Sequence, residues 1–201
     1  MRWLVCLVLA AVLTGCAVAP PAEVDPALSQ QAWLQRQARL AAIDHWVVRG
    51  RVGIENGVEA WQVNLEWQQA HDAYLILLTG PLGQGSLRLT GNAGGVILST
   101  GEGQVIRARD AEELLRQQTG MTLPLARLLY WVRGLPSPGT EVELTLDQEG
   151  RVENMADAGW DIAFETYTEV SGMSLPGRMS LTRDDLQVRM IVGEWRVVSA
   201  R

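Results

Sequence analysis

The stretch WVVRGRVGIENGVEAWQVNLEW, Trp46 to Trp67, decides the fold. Val48, Gly50, Val52 and Ile54 alternate with Arg49, Arg51 and Gly53. Trp61, Val63, Leu65 and Trp67 alternate with Ala60, Gln62, Asn64 and Glu66. A period of two puts successive side chains on opposite faces of a strand, so each run has one apolar and one solvated face. Between them stands Asn56-Gly57, a dipeptide suited to the positive φ angles of a hairpin turn. The expectation is two linked antiparallel strands sharing one buried face.

Downstream the pattern repeats. Tyr74 to Leu78 is apolar on both sides, Leu87 and Leu89 oppose Ser86, Arg88 and Thr90, and glycine turns at 91–95 and 101–103 lead to Val96, Leu98 and Val105. This predicts a meander of about six short strands. Residues 110–134 then break it. Asp110 caps a helix, Glu113 stands three later and Gly120 follows its end. Pro124 opens a second helix with Leu125, Leu128, Leu129 and Val132 on one stripe, stopped by Gly134, Pro136 and Pro138. Strands resume at Val142–Leu146 and recur to Trp195–Val198. A third helix is expected upstream, over Ser29–Asp44, with Trp33 and Leu34 on its apolar stripe and Arg36 on its polar side. Residues 28–201 thus form one mostly β domain of about 10–11 strands with a helical insertion. A sheet this long must close or cover its edges, which favours an unclosed, strongly curved antiparallel barrel. Gly50, Gly53 and Gly85 are candidate kinks.

The N-terminus is of another kind. Arg2 precedes a ten-residue apolar run, Leu4–Leu13, too short to span a ~30 Å hydrocarbon layer. It has the proportions of an export signal over residues 1–15. The ending LTGC, Leu13–Cys16, reads as a lipobox, with Cys16 as the mature N-terminus carrying an S-diacylglyceryl group and an N-acyl chain. A multi-chain anchor of this kind holds far better than a single acyl chain. Residues 16–27, with three prolines, read as a lipidated tether. Position 17 is Ala, not Asp, which favours the outer membrane over the inner one, with the domain in the periplasm.

Composition excludes several chemistries. The basic residues number 17 and are all Arg, so there is no Schiff-base or P-loop lysine. The net charge of −6 argues against nucleic acid as a partner. Once the signal is removed Cys16 is the one remaining Cys, which leaves no disulfide, thiol nucleophile or Cys-based metal site. His45 and His71 lack metal-ligand spacing and stand beside Asp44 and Asp72, so ordinary surface pairing is expected. No catalytic constellation, cofactor or metal site emerges, and the chain is not expected to be an enzyme.

Two features exceed a plain scaffold. Pro81-Leu82-Gly83 sits in a tight loop, and Leu82 is either an apolar finger for lipid or a partner, or a side chain folded back on the core. Trp46, Trp61, Leu65, Trp67 and Leu78, with Leu114, Leu128 and Trp131 from the helical segment, could face one interior. That interior is either a packed core or a cavity for acyl chains.

Four segments together resemble the LolB family of outer-membrane lipoproteins: LTGC at Leu13–Cys16, YLILLTGPLGQGSLRL at Tyr74–Leu89, DAEELLRQQTGMTLPLARLLYWVRGLP at Asp110–Pro136, and W-x-V at Trp195. The resemblance spans nearly the whole mature chain. It implies an unclosed barrel with a helical lid over an apolar cavity, as in the LolA and LolB folds. It implies receipt of lipoproteins from the periplasmic carrier LolA and their insertion into the outer-membrane bilayer, without ATP or metal, by a monomer. Leu82 matches the family's protruding leucine and Trp67 a cavity-facing aromatic. Gly80 departs from the Asn often expected there. The alternative is a packed envelope lipoprotein that serves as a protein–protein interaction module.

Overall fold

The computed structural model describes residues 25–83 and 85–198, excluding the side chain of Leu82. The signal, Cys16 and most of the tether lie outside the described residues. The first helix, α1, runs Pro26–Ala41. It starts three residues before Ser29 because Asp25 supplies the cap, its carboxylate accepting from Ala27 N at 2.9 Å, and Pro26 has its φ preset for a first turn. Its buried face is Ser29, Trp33, Arg36 and Leu40; of the expected apolar stripe Trp33 is buried and Leu34 is exposed. Arg36 is buried because its guanidinium donates to the Ser174 carbonyl and lies 5.2 Å from the Tyr167 ring centre.

Among the described residues eleven strands follow: β1 His45–Glu55, β2 Ala60–Ala70, β3 Ala73–Thr79, β4 Ser86–Asn92, β5 Gly95–Thr100, β6 Val105–Ala108, β7 Val142–Leu146, β8 Val152–Asp157, β9 Trp160–Val170, β10 Met173–Arg183 and β11 Leu186–Val197. They form one antiparallel sheet in the order β6-β5-β4-β3-β2-β1-β11-β10-β9-β8-β7. β6 and β7 are its two edges, so the barrel is unclosed, and the segment joining these edges carries the helices α2, Ala111–Thr119, and α3, Leu125–Trp131.

The register makes the inner face legible as rows across the sheet. One row is Val197, Trp46, Gln69, Tyr74, Gly91, Val96 and Ala108. The next is Trp195, Val48, Trp67, Ile76, Leu89, Leu98 and Ile106. These rows place the core between the concave face and the helices. Curvature has local causes. The β1–β11 register slips between Arg49 and Gly50, and a Cβ on Gly50 would lie 2.1 Å from the Ile191 carbonyl oxygen, so only Gly permits this approach. Gly53 meets no such crowding.

The Asn56-Gly57 turn differs in length from a two-residue hairpin. Glu55 pairs with Ala60, leaving a four-residue loop. Asn56 Oδ1 closes it by accepting from Val58 N and Glu59 N at 3.1 and 2.8 Å, an Asx turn standing in for a backbone turn.

Candidate functional site

The mid-chain helices lie over the inner face and are held unequally. In α2 Asp110 caps as expected, accepting from Glu112 N at 2.8 Å and Glu113 N at 3.4 Å, and Gly120 ends the helix at φ 74°. The Glu113 carboxylate binds Arg116 and Gln117 in its own helix. Apart from the burial of Leu114 and Leu115, the one polar tie from α2 to α3 among the described residues is a long one, Ala126 N to Glu112 Oε1 at 3.4 Å.

Two polar anchors fix α3 and the chain after it to the body. Trp131 Nε1 donates to Asp157 Oδ2 at 2.7 Å, and the same carboxylate accepts from Ser137 N, Ser137 Oγ and Thr140 Oγ1 at 2.7–2.9 Å. Burial pushes the Asp157 carboxyl up, but these donors outweigh it and hold it below the ordinary carboxylate value. Arg133, also buried, donates to the carbonyls of Ile43 and Leu40 at 2.7 and 3.3 Å and to Leu129 at 3.1 Å.

Between the lid and strands β2–β5 lies a pocket of about 500 Å³. Trp67, Tyr74 and Val96 contribute from the sheet, and Leu125 and Leu129 from α3, while Asp72, Arg109, Asp110 and Glu112 supply charged groups around it. Tyr74 lies across Gly91, where a Cβ would come within 2.3 Å of the phenol ring. Burial, with Asp110 nearby, pushes the Tyr74 hydroxyl up, so it stays neutral. The lining is thus mostly apolar, with the buried Gln69 and several charged side chains among it.

The residues expected around the interior separate into three groups. Trp67 lines the pocket. Trp46, Leu65, Leu114 and Trp131 are buried in the core, and Leu78 and Leu128 pack half-buried against it. Trp61 has the inner-face parity but stands at the far end of β2, where it is 37% exposed. It does not join the buried set. Its row continues through Ile54, Val188 and Leu181 to Ile162, and burial is complete only at the β10–β9 end. Trp46 is flanked by Trp67 and Trp195, with ring centres 5.1 and 5.6 Å away, and its Nε1 has no partner among the described residues. Sequence patterning missed Gln69, Tyr74 and Val96. Gln69 accepts from Trp67 Nε1 at 3.1 Å and donates to the His71 carbonyl at 2.8 Å.

Toward the Trp61 end the inward positions Ile54, Val63, Leu78 and Leu87 are half-buried. The Gly80–Gly85 loop lies at this rim, where β3 passes to β4. Pro81–Gly83 form one 3-10 turn, closed by Gly83 N to Gly80 O and Gly80 N to Gly85 O, each 3.2 Å. Gly83 and Gly85 have φ of 77° and 71° with open space around them, and Pro81, Gly83 and Gly85 are exposed. A larger concavity, about 670 Å³, is lined by the outward residues Val47, Gln68, Leu75, Thr90, Ile97 and Arg107 and also by Trp46, Gln69, Tyr74 and Val96 of the inner row, the last three shared with the smaller pocket.

Residues 44–195 match the family model described as outer membrane lipoprotein LolB. The chain belongs to the LolB family. Relatives named outer-membrane lipoprotein LolB include one from Pseudomonas putida KT2440, 38% identical over 201 residues, covering 98% of this chain and 96% of that protein. Another, from Halorhodospira halophila, is 40% identical over 195 residues, covering 96% and 94%. Among solved structures, a LolA superfamily protein from Nitrosomonas europaea shares the fold at 8% identity and TM-score 0.52, covering 87% of this chain and 95% of that one. A DUF1329 family protein from Desulfovibrio piger does so at 9% identity and TM-score 0.51, covering 85% and 93%. The Asp110–Pro136 segment, which carries α2 and α3, lies within the matched residues.

Proposed function

We propose that the protein is an outer-membrane lipoprotein, anchored through lipid on Cys16, that receives lipoproteins from the periplasmic carrier LolA by their acyl chains and inserts them into the outer membrane. LolB-family membership supports this reading, and the apolar pocket beneath the lid is the observation that carries it. A methylene taken as roughly a water's ~30 Å³ share makes about 500 Å³ equivalent to one sixteen-carbon chain. Burying such a chain is worth on the order of 10 kcal/mol at ~0.8 kcal/mol per methylene. A peptide or glycerol headgroup would then rest beside its charged side chains. Cargo with two or three chains needs more room, and α2 is the part that can yield, because its polar ties are almost all internal while α3 is anchored. Transfer from carrier to receiver needs no energy source if this pocket binds the chains better. Release runs downhill because the bilayer buries them more completely.

The test is co-purification of the full-length protein with a diacylated or triacylated lipoprotein, read by intact mass. A one-to-one complex is expected, and its loss on Trp67→Asp would tie binding to the pocket. No uptake of lipidated protein or apolar dye would favour the interaction-module reading instead. Separately, the wild-type chain should incorporate radioactive palmitate and fractionate with the outer membrane, and Cys16→Ala should do neither. An unlabelled wild-type chain would refute the anchor while leaving the pocket untouched.

A further inference from the structure

Outside the lid, the two histidines converge on a single carboxylate. Asp44 precedes β1, His45 opens it, and His71 stands in the turn between β2 and β3. His45 Nδ1 lies 2.8 Å from Asp44 Oδ1 and His71 Nδ1 lies 3.0 Å from Asp44 Oδ2. The two imidazoles meet edge to face at 4.4 Å, and one ligand atom from each of the three residues lies within 4.8 Å of the others.

We propose that Asp44, His45 and His71 form a binding site for a divalent transition metal of the Zn²⁺ class. The donor set of two imidazole nitrogens and one carboxylate oxygen is one that such ions take, at metal–ligand distances of about 2.0–2.2 Å. Small side-chain rotations would bring three atoms this close together onto one ion. The chain has only two histidines, 26 residues apart, and a turn brings both to one point.

The backbone fixes the arrangement before any ion binds. His71 N donates to the Asp44 carbonyl at 2.9 Å, and His71 adopts φ 53°, a left-handed conformation that His, like Asn and Asp, takes more readily than other non-Gly residues. Gln69 holds the His71 carbonyl from the other side at 2.8 Å. The ligands are open to solvent: the side chains of His45, Asp44 and His71 are 34%, 41% and 67% exposed. Water can therefore complete the coordination. Asp72 turns away, accepting from Ala93 N at 3.3 Å. The bound ion would tie the start of β1 to the β2–β3 turn, whose other flank, through Gln69 and Trp67, borders the lid pocket.

The experiment uses full-length protein without a histidine tag, in detergent at pH 7.5. Titration with Zn²⁺ should give one ion per chain. Co²⁺ should give the visible d–d absorption of a site with nitrogen ligands. Saturating Zn²⁺, at about a hundredfold over Kd, should raise Tm by about 5–11 °C. His45→Gln and His71→Asn should each weaken Zn²⁺ binding at least tenfold, since even changes around the ligands cost about 10–100-fold. Asn at 71 tolerates the left-handed φ, so the turn should keep its form. Failure of Zn²⁺ and Co²⁺ to bind at millimolar concentration would overturn the proposal. So would binding left intact in the His45→Gln/His71→Asn double variant, which would assign the ion to scattered surface carboxylates.

Discussion

Leu82→Glu should slow delivery of bound lipoprotein into liposomes by roughly a hundredfold while leaving folding and cargo uptake nearly unchanged. The expectation rests on the turn that carries the residue. Pro81 and Gly83 shape one 3-10 turn through their backbone, so the turn does not depend on the residue-82 side chain. The turn stands at the end of the barrel where the inward residues are least covered. An apolar side chain entering the bilayer there contributes about 2 kcal/mol of burial. A carboxylate forfeits that and adds a further desolvation cost of about 1 kcal/mol or more. At 1.4 kcal/mol per tenfold, the two together reach about two orders of magnitude. The series should be graded, with Leu82→Ala about tenfold slow and Leu82→Phe near wild type. Delivery by Leu82→Glu at the wild-type rate would remove the loop from the mechanism. Reduced cargo uptake before any membrane is present would reassign it to docking.

Much of this architecture is legible in the sequence because strands and helix ends are local devices. Alternation from Trp46 to Trp67 fixes which side chains share a face, and the register bears this out through whole rows of the sheet. Asp110 and Gly120 bound α2 by cap chemistry that needs no tertiary partner. Alternation names a face but not a position along it. Trp61 and Trp67 are equivalent in period, yet one is exposed at the rim and the other lines the pocket, because helices cover only one end. Arg36 reads as surface by residue type, and its burial depends on a carbonyl 138 residues away. The helical pattern around Pro124 likewise gives the stripe but not the start: α3 begins at Leu125, with Pro124 before it and no side-chain cap.

The polar contacts are the least legible part. Spacing alone separates His45 from His71 and suggests that each pairs with its neighbouring acid. The β2–β3 turn instead folds both onto Asp44 and leaves Asp72 to the next hairpin. Asp157 is not singled out by any pattern in the sequence. It is in fact an inward-facing residue, because β8 pairs Asp157 with Trp160 and Val142, and the lid brings Trp131 and Ser137 down onto it. These outcomes are set by where two distant segments cross.

Asp157→Ala should lower stability by about 3 kcal/mol, and Tm by about 6–12 °C, as the carboxylate is buried and accepts from Trp131, Ser137 and Thr140. The loss exceeds that of a surface acid because the substitution leaves the buried indole N–H and the Ser137 amide without an acceptor. Trp131→Phe, which removes one donor and keeps most of the ring, should cost about half as much. Since the folded-state carboxyl titrates below its unfolded value near 3.9, its contribution is present above about pH 4 and is lost as pH falls through the lower folded value. Urea midpoints measured between pH 7 and pH 3 should therefore fall more steeply for the wild type than for Asp157→Asn, which carries no titrating group there. Parallel curves would mean that the carboxylate is not stabilised by these donors. Function should separate the two layers of the lid. Because Asp157 holds α3, whose Leu125 and Leu129 wall the pocket, the Ala variant should bind lipoprotein poorly even at temperatures where it remains folded. A substitution confined to the internal ties of α2, such as Glu113→Gln, should leave uptake intact. If Asp157→Ala keeps full uptake while folded, the pocket does not need a fixed α3, and the division into an anchored and a yielding helix fails.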